Sequence, residues 1–265
     1  MWTAKAMRNL IIMGSGRSGT SMVAGCLAQS GYFMGDSLHV ANESNPKGYF
    51  EDAAINHVNE RLLAPLVPRV PDSLRWLRRD LPRKRQRWLA RLPLELTFAP
   101  QQEQIDMIHA LTAHTPYCFK DPRFSYTLPV WRPYLAADTG FICVFRDPTS
   151  TARSILKEIA SKPYLATIKL TFRQALDIWT RMYDHILTKH RHEGEWLFVH
   201  YDQVTSGTAL DALRDFTGAH VDLSFPESGL RHQTPGRERI PKQTAALYAD
   251  LCARAAYDLT GALAR

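Results

Sequence analysis

The feature that most constrains the fold lies near the start of the chain. Arg8-Asn-Leu-Ile-Ile-Met13 is a short apolar run with no alternation, as expected of a parallel strand buried on both faces. It runs directly into Gly14-Ser-Gly-Arg-Ser-Gly-Thr-Ser21, and Met22 to Gln29 then carries a helical apolar pattern that Gly31 can stop. Strand, glycine-rich turn and helix open a nucleotide-binding βαβ unit. Successive backbone N–H groups in such a turn form an anion cradle, and the following helix N-terminus adds its positive dipole end. Gly14, Gly16 and Gly19 permit the tight backbone, while Ser18, Thr20 and Ser21 add hydroxyl donors. Further strands are expected at Tyr117–Lys120, Gly140–Phe145 and Trp196–Tyr201. Helices are expected near Ala53–Leu63, Gln101–Ala113, Ser150–Ile159, Thr171–His190, Ala209–Phe216 and Thr244–Leu263. This alternation predicts an α/β fold with a central parallel sheet flanked by helices, binding ligands beyond the carboxyl ends of its strands.

The loop differs from that of the nucleoside triphosphatases. A Walker A loop ends in Gly-Lys-Ser/Thr, its lysine reaching the distal phosphates and its hydroxyl holding magnesium. Here Gly19 precedes Thr20 and no lysine follows; the basic residue, Arg17, comes earlier. An ATP- and magnesium-dependent small-molecule kinase with an atypical loop is the alternative reading.

Arg17-Ser-Gly-Thr-Ser21 resembles the 5′-phosphosulfate loop of the sulfotransferases that use PAPS (3′-phosphoadenosine 5′-phosphosulfate). Phe145-Arg-Asp-Pro148, with Ser154 eight positions after Arg146, resembles that family's 3′-phosphate motif. The resemblance, nearest to bacterial members, implies a P-loop-like sulfotransferase fold. It also implies a PAPS donor leaving as 3′,5′-ADP and sulfuryl transfer to a hydroxyl or amine without a metal. It implies donor-binding roles for Gly16, Arg17, Ser18, Gly19, Thr20, Ser21, Arg146 and Ser154. Tyr201-Asp202 resembles the family's segment near the adenine. Arg231, with Gly236 and Arg237, stands where the family has a late basic loop over the donor.

Sulfuryl transfer needs cations on the leaving phosphate, aligned reactants and a base for the acceptor. Lys120 looks like the family lysine that contacts the sulfuryl or bridging oxygens, and acts there with Arg17. The catalytic histidine of the phenol-acting branch would fall at Pro122, so the base must come from elsewhere. Lys47-Gly-Tyr-Phe-Glu-Asp52 resembles the acidic segment of bacterial and carbohydrate-acting members. This points to Glu51 as the base, with Asp52 and His57 as rivals. Arg123 either binds an acceptor anion or pairs with an acid.

The net charge of +7 is concentrated: Arg75 to Arg91 holds eight cations against Asp80 alone, a surplus of seven. Residues 73–92 read as two basic amphipathic helices broken at Pro82. They form part of a helical insertion at about 64–100 in one domain spanning 1–265. With Trp76 and Trp88, this segment is a candidate lid or acceptor-docking element for a small molecule, glycan or lipid; nucleic acid is not expected. The four cysteines form no CxxC pair and read as buried thiols, so no metal site is expected. With no signal-like or membrane-spanning apolar run, the chain reads as cytoplasmic.

Overall fold

The computed structural model describes residues 6–40, 47–74, 76–226 and 238–258. Arg231, Gly236, Arg237, Arg75 and the expected helical residues beyond 258 lie outside them.

Four strands form one all-parallel sheet in the order β2-β1-β3-β4. They are β1 (Leu10–Met13), β2 (Cys118–Lys120), β3 (Gly140–Phe145) and β4 (Glu195–His200). Every residue of β1, β2 and β3 is buried, as the unbroken apolar runs require. The period of two divides them between two cores. Leu10, Ile12, Ile142 and Val144 pack with Val23, Ala24 and Leu27 of α1 (Thr20–Leu27). Ile11, Met13, Cys143 and Phe145 face Trp179 and Tyr183 of α6 (Phe172–His185) on the other side. The remaining helices are α2 (Ala53–Leu63), α3 (Gln102–Thr112), α4 (Phe124–Trp131), α5 (Pro148–Ser161), α7 (Tyr201–Thr205), α8 (Leu210–Thr217) and α9 (Lys242–Arg254). No helix among the described residues is long and apolar enough to cross a membrane. All four cysteines are free and buried. Burial raises the Cys26 and Cys252 thiols to about 12, which leaves them unreactive.

The helical expectation for residues 73–92 is corrected. Among the described residues this stretch holds only two 3₁₀ turns, Asp72–Leu74 and Arg87–Leu89. Its backbone donors go to carbonyls three residues earlier, as from Gln86, Leu89 and Ala90, or to side chains, rather than to carbonyls four residues earlier. The Glu60 carboxylate accepts from Arg85 N (2.8 Å) and Arg87 N (3.0 Å), and Gln86 Oε1 accepts from Arg83 N (3.0 Å). Arg85 also sits at φ 69°, outside helical space. Trp88, Leu89 and Leu92 are buried in a third core with Ala152 and Ile155 of α5 and Ile178 and Met182 of α6. The segment is therefore stapled to the body by Trp88, Leu89 and Leu92 and by the Arg87–Glu60 pair, while Arg78, Arg83, Lys84 and Arg85 are exposed.

Helix α4 was hidden in the sequence by Pro129. Proline cannot donate to the carbonyl of Ser125 four residues back. His190 Nε2 meets that carbonyl instead at 3.0 Å. Burial pushes His190 down to about 4, so it is neutral and its Nε2–H donates. Burial likewise brings His200 down to about 4 and lowers His185. An unfolded histidine titrates near 6.5, so below that pH the unfolded chain binds protons that the folded chain does not. Stability is then full above about pH 6.5 and falls as the pH drops toward 4. For each of His190 and His200 the slope approaches about 1.4 kcal/mol per pH unit. Urea unfolding across this window should show that loss, and His200→Asn should flatten it by about one proton's worth. A midpoint unchanged between about pH 6.5 and 4.5 would contradict the buried neutral histidines.

Candidate active site

The site forms where the carboxyl ends of all four strands meet the glycine loop. The turn after β1 is held by contacts that exclude side chains. A Cβ on Gly14 (φ 146°) would lie 2.1 Å from the Val144 carbonyl oxygen, and one on Gly19 (φ 95°) 2.5 Å from the Tyr201 ring. A Cβ on Gly16 would lie 2.6 Å from the Trp88 ring. Tyr183 pins the loop to β3: its hydroxyl donates to Val144 O (2.7 Å) and accepts from Ser15 N (3.1 Å). Arg17 occupies the left-handed region at φ 71°, a placement costing roughly 1–2 kcal/mol for a residue with a Cβ. An isolated left-handed residue in such a turn is how successive N–H groups come to face one concavity. No side chain caps α1 at Gly19, and its first turn contains no acid. The positive end of the helix is thus left to the site.

Residues far apart in sequence converge here. Arg17 Nε donates to Ser154 Oγ of α5 at 3.2 Å, joining positions 137 residues apart. Glu158, one turn further along α5, lies 3.6 Å from the Arg17 guanidinium and is itself buried. Ser18 Oγ is 3.5 Å from Thr151 Oγ1 on the same helix. The Arg146 guanidinium at the end of β3 lies over the Tyr201 ring, 4.3 Å from its centroid. Tyr201 follows β4 directly and lies against Gly19. Thr20 is buried as the first residue of α1.

Lys120, the last residue of β2, is 2 % exposed and reaches both sides of the cleft. Its Nζ donates to Ser21 Oγ (3.1 Å) and to Glu51 Oε1 (2.5 Å). Burial acts to raise the Glu51 carboxyl, but the charges of Lys120 and Arg123 and the bonds from Lys120 and Asn56 outweigh it. The net shift is downward, so Glu51 is ionised at neutral pH.

The two rivals for the base are placed differently. Asp52 is 1 % exposed and caps α2, accepting from Ser37 N, Ala54 N and Ile55 N at 2.8, 2.8 and 3.2 Å. Its lone pairs are committed to the backbone. His57 is exposed on α2.

Beneath Glu51 lies a buried charged network that the sequence reading did not assign. Asn56 Nδ2 donates to Glu51 Oε2 (3.3 Å), and Arg123 NH1 donates to Asn56 Oδ1 (3.0 Å). Arg123 Nε and Arg87 NH1 both donate to Glu60, at 3.0 and 2.8 Å. Arg123 NH1 also reaches Asp121 (3.1 Å), which accepts from Asn59 Nδ2 (3.1 Å). Arg123 is therefore paired with acids. A signal was present in α2: Asn59 falls four positions after Ile55, on the buried face with Val58 and Leu62. A polar residue there requires partners, and Thr127 Oγ1 and Trp131 Nε1 donate to its carbonyl at 2.8 Å each.

A family model described as the sulfotransferase family matches residues 9–214. The sulfotransferase domain from the curacin biosynthetic pathway superposes with a TM-score of 0.50 at 16% identity, over 96% of this chain and 99% of that one. The sulfotransferase domain of the Synechococcus PCC 7002 olefin synthase gives 0.49 at 17% identity, over 98% and 99%. A sulfotransferase from Alicyclobacillus acidocaldarius gives 0.45 at 13% identity, over 97% and 99%. Among curated proteins no significant match is found. At these identities the structural likeness concerns the P-loop-like fold, and the family rests on the model match across more than three quarters of the sequence. With its parallel sheet and its glycine loop after β1, the chain belongs to the sulfotransferase family.

Proposed function

We propose that the protein transfers a sulfuryl group from PAPS to a hydroxyl or amine of a small-molecule, glycan or lipid acceptor, releasing 3′,5′-ADP, within one domain spanning 1–265. The observation that carries this reading is the bond between Arg17 and Ser154, which brings the two phosphate motifs together at the mouth of the loop. A single anion cradle would serve many nucleotides. Two cationic stations, at Arg17 and Arg146, suit a nucleotide phosphorylated at both ends of its ribose.

In this proposal the amides of Gly16 to Ser21 and the hydroxyls of Ser18, Thr20 and Ser21 hold the 5′-phosphosulfate, with Arg17. Arg146 and Ser154 hold the 3′-phosphate. Tyr201, covered by Arg146, offers a ring face to the base. The acceptor oxygen attacks sulfur as the bond from sulfur to the bridging oxygen breaks, and the acceptor's proton passes to Glu51. The bridging oxygen leaves on 3′,5′-ADP, whose growing charge is met by Lys120, Arg17 and the loop amides. Lys120 supplies from β2 the cation that a Walker lysine would supply from the loop. It bonds Glu51 and Ser21 together, so it stands between donor and base. The kinase alternative lacks a comparable observation.

The reading is tested by Arg146→Ala. Binding of 3′,5′-ADP, measured by isothermal titration, should weaken by about 10- to 100-fold, as for loss of a charge-assisted bond. Binding of adenosine 5′-phosphate, which lacks the second phosphate, should change little. Equal weakening of both nucleotides would remove Arg146 from a 3′-phosphate role.

A further inference from the structure

The segment corrected above from helix to 3₁₀ turns carries a second functional surface. It borders a cavity of about 720 Å³ whose wall holds Arg69, Arg78, Arg79, Arg83, Lys84 and Arg87 together with apolar side chains such as Val67, Val70 and Leu81. Three of these cations are already engaged: Arg78 with Asp80, Arg87 with Glu60, and Arg79 with the Ala166 carbonyl. Arg69, Arg83 and Lys84 are exposed and have no acidic partner among the residues whose side chains are described. Among the residues whose side chains are described, no acid lines the cavity.

Beside it stands an apolar tip. Among the described residues seven large hydrophobic side chains are exposed, and three fall within four positions: Leu74, Trp76 and Leu77, at 48, 70 and 57 %. Trp88, the other tryptophan of the segment, is instead buried over the glycine loop. Exposed leucine and tryptophan next to exposed arginine and lysine form an interfacial pattern: the apolar groups enter the headgroup boundary and the cations meet its anions.

We infer that the 69–87 segment docks on an anionic lipid surface, with a phosphate-bearing headgroup drawn into the cationic cavity and Leu74, Trp76 and Leu77 in the headgroup boundary. The surface is tied to the active site. Arg87 on the cavity wall bonds Glu60, and Glu60, Arg123 and Asn56 lead in unbroken hydrogen bonds to Glu51. The inference goes beyond the donor reading and does not depend on it.

The test is co-sedimentation of the full chain with vesicles of phosphatidylcholine containing about 30% phosphatidylglycerol, against vesicles of phosphatidylcholine alone. Binding is expected only to the anionic vesicles and should fall steeply between about 0.1 and 0.5 M salt. Arg83→Ser with Lys84→Ser should weaken it by about fivefold per cation removed. Trp76→Ser with Leu77→Ser should weaken it at least as much. All four positions are exposed, so the melting temperature should hold. Equal binding to both vesicles, no binding, or binding untouched by the Trp76/Leu77 pair would overturn the inference. So would protection of the cavity by free glycerol phosphate without vesicle binding, which would make it a site for a soluble anion. Stabilisation by 3′,5′-ADP, read on the same preparations, reports on the donor site separately.

Discussion

Glu51→Gln should leave 3′,5′-ADP binding nearly intact while turnover falls by about 10²- to 10⁴-fold, the usual range for removal of a positioned general base. The substitution keeps the shape and the capacity to accept a hydrogen bond from Lys120, but it removes the ability to take a proton. The selectivity of the effect is the point. Lys120 is held by Ser21 as well as by Glu51, so the donor side retains its cation. Asp52→Asn is the matched control: it should lower stability by about 1 kcal/mol through a weakened helix cap and spare turnover. If Glu51→Gln retained full turnover, or Asp52→Asn abolished it in a folded protein, the assignment of the base would fail. Because Glu51 is held below the ordinary carboxylate range, its ionisation should not limit the rate at neutral pH. The rate should decline only once the pH falls below the ordinary carboxylate range, where Glu51 at last takes up its proton.

The largest effect on stability is expected from Glu60→Ala. Glu60 is 7 % exposed and accepts from Arg123, Arg87 and two backbone N–H groups of the 3₁₀ segment. Its removal leaves the Arg123 guanidinium, 4 % exposed, with one acidic partner. Breaking a buried pair from one side costs about 3–5 kcal/mol. In a chain of this size that corresponds to a melting temperature lower by roughly 10 °C. The same substitution frees the backbone that seats Trp88 over Gly16, so nucleotide affinity should drop although Glu60 touches no proposed donor group. A loss below about 2 °C would show that water or neighbouring acids replace Glu60, and the network would then not be what holds the segment.

The motifs were legible because they lie where the backbone itself dictates residue type. Gly14 and Gly19 sit at positive φ against a carbonyl and a ring, and only glycine fits. Gly140–Phe145 and Ala53–Leu63 match their expected bounds because an unbroken apolar run and an apolar periodicity behind an aspartate cap are local signals. What failed was whatever depended on distant partners. Residues 73–92 have helical periodicity, but Glu60, from another element, takes the backbone donors of Arg85 and Arg87. Helix α4 contains a proline whose cost is offset by His190, 65 positions from the carbonyl it meets. Trp76 and Trp88 look alike in sequence, yet one is exposed and the other covers the glycine loop. Tyr183 supports the loop from a helix that carries no motif, and Glu158 does so from one turn beyond Ser154.

The central claim is that the loop and the Arg146 station together select a nucleotide phosphorylated on both its 3′ and 5′ positions. The most direct test is the melting temperature of the wild-type protein with 3′,5′-ADP, with adenosine 5′-phosphate and with ATP plus magnesium. A ligand at 100 times its Kd stabilises by about 2.7 kcal/mol, a rise of several degrees. The account predicts that rise with 3′,5′-ADP, a smaller one with adenosine 5′-phosphate and no magnesium-dependent rise with ATP. Stabilisation by ATP plus magnesium, with none by 3′,5′-ADP, would contradict it.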